Sequence, residues 1–390
     1  MAQRIKVFNI IDIFCGTGAI SYGLKNYDKR FSVVGGIDID KSACDTARAN
    51  HSQGTFICNS IENFTPRKFE GVIKSDHVEL VVGGPPCQGF SSLRPSRGSN
   101  IEDPRNSLYK NFLQYVRYFE PVAFLMENVI GLLSVSNGGL FNEIIQAFHR
   151  LGYQVDWRVL NAANYGVPQK RERLFVVGVN KSRVRNPVLR FPEPTHFFEG
   201  RVIGTRFKEN YIVNTSRGMP ALSVMSAISD LPSLKSGETK TFYATRPKNN
   251  YQKDRRRGGA SAVTLHQAAN HSAKMLKVIK MAGSSKGALP SGLVSSGYTS
   301  CYSKMDPSGP ATTITVKFTS PASNKCIHPF QQRSISPREA ARLQSFDDKF
   351  EFCGSKTDIA SQIGNAVPPL LGEAFAPLLI ENLEAKNVSF

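Results

Sequence analysis

Residues 5–18 read Ile5-Lys6-Val7-Phe8-Asn9-Ile10-Ile11-Asp12-Ile13-Phe14-Cys15-Gly16-Thr17-Gly18. The apolar run over 5–14 predicts a buried strand, which Cys15-Gly16-Thr17-Gly18 breaks. A helical pattern follows, with Ile20 and Leu24 on its buried side. Strand, glycine turn and helix make the opening unit of a doubly wound α/β sheet. Outward from it, Phe31–Ile37 predicts a second strand ending in Asp38-Ile39-Asp40, then a helix to about Asn50. Further strands are expected at 78–83, 122–126 and 173–178, with helices near 106–119 and 138–151. This alternation predicts a mostly parallel sheet over roughly residues 1–180.

After Asn180 the texture changes. Pro187, Pro192 and Pro194 are followed by short strand-like pieces, Ser/Gly runs and the cluster Lys253-Asp254-Arg255-Arg256-Arg257. The α/β texture returns near residue 330. Ser336-Pro337-Arg338-Glu339 suits a helix start, with Ser336 as N-cap and Glu339 three positions on. A last helix is expected from near Pro369 to about Ala385. The chain therefore divides into 1–183, a loop-rich basic insert over 184–328, and 329–390 returning to the first part.

The 390 residues are 41% hydrophobic and 21% charged, enough to bury a sizeable core, which argues against a disordered chain. No apolar run approaches the ~18 residues of a membrane span. Met1–Val7 has no secretory h-region, and the seven cysteines are scattered without a C-x-x-C. That pattern suggests neither a disulfide framework nor a zinc ribbon, no metal is expected, and a reducing cytoplasm is the expected setting. The formal net charge is +18. Between Lys181 and Ser300 stand 20 Lys+Arg against 6 Asp+Glu, so the excess is concentrated in the insert. A polyanion, nucleic acid first, is the expected partner.

Four features carry chemistry. Asp12, Phe14, Gly16 and Gly18 form a turn that lets backbone approach a ligand at a helix N-terminus, although glycines also serve a tight turn alone. Asp38 at the end of the next strand suits ribose hydroxyls. Ser21 stands where the dinucleotide fingerprint has its third glycine, which favours a nucleoside ligand without phosphates. Gly83-Gly84-Pro85-Pro86-Cys87-Gln88-Gly89-Phe90-Ser91 presents a thiol between fixed and free backbone, making Cys87 a candidate nucleophile. Glu127 closes an apolar strand, where desolvation favours its neutral, proton-donating form; a capping or surface acid is the plainer alternative. In Gln169-Lys170-Arg171-Glu172-Arg173 the two arginines share one face of an extended segment, aimed at one anion or simply solvated.

Together with Arg338–Phe346 and Gln362–Pro368, these segments in this order resemble the cytosine-C5 DNA methyltransferases of the bacterial restriction–modification type. The resemblance spans nearly the whole chain except the basic insert. It implies a Rossmann-like S-adenosylmethionine-dependent methyltransferase domain with an inserted target-recognition domain. It also implies methylation of cytosine C5 in a specific double-stranded DNA sequence, with S-adenosyl-L-homocysteine as by-product. By this resemblance Cys87 attacks C6 of a flipped cytosine, Glu127 donates to N3, and Arg171, with Arg173 beside it, holds Glu127 and the cytosine carbonyl oxygen. Asp12, Phe14, Gly16, Gly18, Asp38, Ile39, Ser60, Ile61, Pro86, Asn365 and Ala366 would bind the cofactor. Ser60 stands where the family usually has an aspartate. Gln88, Ser91, Arg94, Arg97, Arg255, Arg256, Arg257, Thr312 and Thr313 would contact DNA. A compact, cytoplasmic, nucleoid-associated monomer is implied, alongside a separately acting cognate restriction endonuclease. Two other readings share the scaffold. A transfer-RNA cytosine methyltransferase would carry a Cys-Phe-Thr stretch that does not occur here. A silent DNA-binding protein would not need Cys87, Glu127 and Arg171 intact.

Overall fold

The structure is a computed structural model describing residues 6–73, 75, 77–86, 108–198, 210–212, 214, 216–258, 262–294 and 298–385. Its centre is a sheet of eight strands: β1 (Phe8–Ile13), β2 (Phe31–Asp38), β3 (Thr55–Cys58), β4 (Leu80–Gly83), β5 (Ala123–Asn128), β6 (Tyr153–Asn161), β7 (Glu172–Asn180) and β9 (Tyr211–Ile212). Their order across the sheet is β3-β2-β1-β4-β5-β7-β6-β9. A short pair, β8 (His196–Phe197) with β10 (Met219–Pro220), lies apart from it. Strands β1 to β5 run parallel, whereas β7 lies antiparallel between β5 and β6. The reversal at β1 and β4 puts their carboxyl ends at the topological switch point, where ligands of such sheets bind.

The apolar runs read from the sequence are the strands buried on both faces, β1, β2, β4, β5 and β7. Strand β6 escapes that reading because its middle, from Val155 to Arg158, is only half-buried. On one face the sheet packs against α1 (Ala19–Tyr27), α2 (Lys41–Asn50) and α11 (Pro369–Glu384) through Ile20, Leu24, Ala47, Phe375 and Leu379. On the other it packs against α3 (Pro66–Glu70), α4 (Leu108–Phe119) and α5 (Gly139–Arg150) through Phe69, Phe112, Ile144 and Phe148. Helices α1 and α11 meet backbone to backbone: a Cβ on Gly23 would stand 2.0 Å from the Pro369 carbonyl oxygen, and one on Gly372 2.4 Å from that of Ile20. No single helix among the described residues is long and apolar enough to cross a membrane.

A second core joins α6 (Val224–Ile228) and α7 (Asn250–Arg255) to α9 (Pro337–Leu343) and α10 (Lys356–Asn365). Helix α8 (Ala273–Met281) buries Ile279 against Ala282 and Ile327 beside it. Helix α9 starts as expected, with Ser336 and Glu339 closing a capping box over Pro337. Val184 and Phe191 belong to the core of the sheet, and β9 pairs with β6. Ala340, Leu343, Phe346 and Ile363 pack with the helices of the insert and with Ala19 and Tyr22 of α1, and Val367 already joins the core of the sheet. Apolar contact assigns α9 and α10, and nothing in their local sequence says which core they face.

Candidate active site

The glycine turn between β1 and α1 needs three left-handed residues, Phe14 (φ 60), Gly16 (φ 50) and Gly18 (φ 71). The backbone N–H of Gly16 donates to Asp38 Oδ2 at 2.8 Å, and that of Asp40 to Asp38 Oδ1 at 2.9 Å. Asp38 thus joins the turn to the end of β2, and burial raises its carboxyl pKa. A Cβ at Gly16 would meet nothing within 4 Å, whereas one at Gly18 would strike the His51 ring. The first glycine therefore faces open space and the second packs inward. Ile39, next in the chain after Asp38, is a large apolar side chain 74% exposed. Ile61 is buried and Ser60 leads into the turn Ile61–Asn63.

Asp12 is not part of the lining. It is 3% exposed, and its Oδ2 accepts a hydrogen bond from Ser21 Oγ at 2.5 Å. Burial, opposed by that bond, pushes its carboxyl up to about 8. Ser21, which departs from the glycine fingerprint, thereby clips α1 to the end of β1 from beneath the turn.

Strand β5 delivers Glu127 at the same edge of the sheet. Its Oε1 pairs with Arg173 Nε at 2.8 Å. Burial raises the Glu127 pKa, and Arg173 and Arg171 pull it back in part. A Cβ on Gly84 would stand 3.0 Å from Glu127 Oε2, so the glycine lets the two strand ends converge. Asn128 Nδ2 donates to the Pro85 carbonyl at 2.9 Å, fixing the half-buried Pro85-Pro86 step that leads to Cys87. Cys87, Gln88, Ser91, Arg94 and Arg97 lie outside the described residues.

A buried carboxyl with a raised pKa, the arginine paired with it, a glycine turn with an open side and the Pro85-Pro86 step meet at one sheet edge. The family described as C-5 cytosine-specific DNA methylase matches residues 8–381 of the chain. The chain belongs to that family. The methylase is 32% identical to the type II methyltransferase M.DdeI of Desulfomicrobium norvegicum, over 98% of this chain and 91% of the relative. It is also 32% identical to the type II methyltransferase M1.HphI of Haemophilus parahaemolyticus, over 95% and 86%. A crystal structure titled as a prophage-encoded DNA modification methyltransferase (E. coli) superposes with a TM-score of 0.74 at 25% identity, covering 97% of this chain and 99% of the other.

The two arginines of the methylase do different things. Arg173, not Arg171, holds Glu127. In the antiparallel register Asn128 pairs with Leu174 and Glu127 with Phe175, so Arg173 comes just past the end of β5 and Arg171 lies two residues further. Arg171 is 1% exposed and turns to three carbonyls instead: Ile314 at 3.3 Å, Gly364 at 3.1 Å and Asn365 at 3.2 Å. It ties the segment ending α10, with exposed Asn365 and half-buried Ala366, to the catalytic strand. Gln169 reinforces the joint, accepting from the Ile314 N–H at 2.7 Å and donating to Gln344 Oε1 at 2.9 Å. Gln344 then donates to the Ile363 carbonyl at 2.6 Å. Sequence reasoning misses this buried set, since an isolated glutamine carries no local signal.

The proposed DNA-contacting residues of the methylase divide. Thr312 Oγ1 is buried without a hydrogen-bond partner beside the Gln169–Arg171 stretch, to which Ala311 is bridged. Thr313 instead donates its hydroxyl to the Lys170 carbonyl at 2.8 Å, an internal clamp. Arg255 is 1% exposed and pairs with buried Asp347 at 3.0 Å. Arg256 pairs with buried Asp230 at 2.5 Å and lies 3.4 Å over the Tyr243 ring. Arg257 reaches Asp347 and Glu373 at 3.6 Å each. Arg255 and Arg257 thus reach from the insert to Asp347 after α9 and, for Arg257, to Glu373 of α11, whereas Arg256 is paired within the insert. Buried carboxylates demand these counter-charges.

Proposed function

We propose that the protein methylates C5 of a cytosine, flipped out of a specific double-stranded DNA sequence, with S-adenosyl-L-methionine as methyl donor. The observation that carries this is the Glu127–Arg173 pair at the end of β5, beside the Pro85-Pro86 step into Cys87 and the Gly16–Asp38 turn. Cytosine C5 is a poor nucleophile until a thiolate adds to C6. Cys87 forms the C6–S bond, the ring electrons move toward N3, and Glu127 gives N3 its proton there. Arg173 keeps Glu127 aimed and stabilises charge developing at the cytosine carbonyl oxygen. Once C5 has taken the methyl group, water removes the C5 proton, the C6–S bond breaks to release Cys87, and N3 returns its proton to Glu127, which restores the ring. Flipping costs a few kcal/mol of unstacking, which interactions in the enclosed site offset.

The turn fits the adenosyl cofactor: Gly16 leaves open space, Asp38 offers a carboxylate to a ribose, and Ile39 offers an apolar platform for adenine. Phe14, Gly18, Ser60, Ile61, Pro86, Asn365 and Ala366 would complete the pocket, with Asp12 supporting from below. When bound, the cofactor supplies an electrophilic methyl group on a sulfonium sulfur. The reading also includes protection of DNA from a cognate restriction endonuclease.

Incubation with labelled S-adenosylmethionine and either duplex DNA or transfer RNA tests the reading. Label is expected in DNA only, and Cys87→Ser is expected to abolish transfer. Label in RNA alone, or undiminished transfer by the variant, would overturn it.

A further inference from the structure

Three of the free cysteines converge on the residues proposed to hold the cofactor. Cys44 Sγ, in the first turn of α2, donates to the carbonyls of Asp38 at 3.5 Å and Ile57 at 3.4 Å. Cys58 Sγ, at the end of β3, donates to the Ile39 carbonyl at 3.7 Å. The Cys15 N–H donates to the Ile37 carbonyl at 3.1 Å. Residues 37, 38 and 39 therefore each carry one cysteine. Strand register places Cys58 opposite Asp38, and its two-residue offset from buried Phe56 turns it to the face that α2 covers. Cys44 Sγ stands 3.4 Å from the carbonyl oxygen of Ile57, the residue before Cys58, and the two thiols donate to the consecutive carbonyls of Asp38 and Ile39. Cys15 and Cys44 are buried, whereas Cys58 is exposed and gives reagents a way in.

We infer that Cys44 and Cys58 are an oxidisable thiol pair, a modification site whose closure to a disulfide weakens binding of the adenosyl cofactor at Asp38 and Ile39. The inference rests on the proposed cofactor reading. Its oxidant is a peroxide. The Cys58 sulfur takes one peroxide oxygen and becomes a sulfenic acid, releasing water. The Cys44 sulfur then attacks that sulfur; the S–S bond forms and the hydroxyl leaves as a second water. Two thiols are oxidised and one peroxide reduced. Interaction with Cys15 lowers the Cys44 pKa, which suits it as the attacking thiolate; Cys58 is oxidised first because it is the exposed thiol that peroxide reaches, against its own raised pKa. A bridge removes the three thiol–carbonyl hydrogen bonds of Cys44 and Cys58 and draws the end of β3 toward α2. Asp38 and Ile39, suspended between them, lose the positions that face the open side of Gly16.

The test treats the full chain with peroxide or diamide, maps the bridge by peptide mass, and titrates S-adenosylmethionine by calorimetry before and after. The Cys44–Cys58 peptide pair is expected to lose two hydrogens. Cofactor affinity is expected to fall at least about tenfold, equivalent to ~1.4 kcal/mol, and to recover with dithiothreitol. Cys58→Ser, on the exposed side, is expected to bind cofactor normally and to resist the oxidant. Cys87→Ser is expected to respond as the parent does, which separates the effect from oxidation of the nucleophile. A bridge elsewhere, no bridge, or a bridge with unchanged affinity would overturn the inference alone. Reduced protein that does not bind S-adenosylmethionine would overturn the cofactor reading, and this inference with it.

Discussion

Arg171 and Arg173 show how two identical side chains two residues apart come to different tasks. Arg173 has a carboxylate beside it, and Arg171 has only backbone carbonyls. Arg173→Lys, which loses the Nε–H bond to Glu127, is expected to lower kcat by ~10²–10³ with cofactor affinity kept. Arg171→Lys cannot span three carbonyls and is expected to raise KM for cofactor and DNA while leaving the pH profile in place. Glu127 is held above its ordinary pKa, so its proton-donating form lasts to higher pH and activity falls as pH rises through that raised value. Glu127→Gln should remove that limb and cost ~10²–10⁴ in kcat. Asp12 makes a statement about stability. With a folded pKa of about 8 against 3.8 unfolded, it takes up a proton on folding between those values. Its contribution is therefore whole below the unfolded pKa and lost as pH rises to the folded one. Asp12→Asn should flatten the decline of the urea midpoint over that window.

Among the elements, the α1–α11 crossing is the contact most exposed to a single change. Gly23→Ala puts a methyl group 2.0 Å from the Pro369 carbonyl oxygen, both on backbone. Separation of the helices is expected to cost ~1–3 kcal/mol, read as a shift in urea midpoint. Gly16→Ala meets no atom but must hold a positive φ, so its expected cost is ~1–2 kcal/mol together with weaker cofactor binding. Helix α9 shows the opposite economy. Its capping box was legible in Ser336 to Glu339, but its buried arginines were not. Arg333 pairs with Glu339 at 2.7 Å, and Arg342 pairs with Asp348 at 2.5 Å. Burial works to raise Glu339, yet Arg333 carries it down to about 2.

At the scale of the molecule, the charge excess proves to have two parts. Arg255 faces inward and holds the insert to Asp347 after α9, and Arg256 is paired with buried Asp230 within the insert. Lys274, Lys277 and Lys280 are exposed along α8 at spacings of three. Changing these three to Gln is expected to reduce the slope of log K against log salt for DNA by up to ~2–3, since each phosphate that a lysine neutralises contributes about 0.9 to it. Arg255→Ala is expected to leave that slope alone and to cost ~3–5 kcal/mol of stability, because it leaves buried Asp347 with Arg257, at 3.6 Å, as its remaining cation. Binding at several salt concentrations, with urea unfolding of both variants, separates the two kinds of cation.

What could be read along the chain was whatever a short segment states about itself. The strands buried on both faces, the glycine turn, the capping box, Glu127 at a strand end and the motif order all belong to that class. Half-buried β6 and the two-residue β9 did not announce themselves, because their burial is supplied by neighbours distant in the chain. The same reason explains why Arg173 rather than Arg171 holds Glu127, and why α9 and α10 join the core of the insert. It also explains why Arg255 and Arg256, in a cluster that looks like a nucleic-acid surface, are paired with buried carboxylates. Local pattern determines which elements form and which side chains carry chemistry. The partner of a long charged side chain depends on which carboxylate or carbonyl lies within hydrogen-bond reach, and only the tertiary structure decides that.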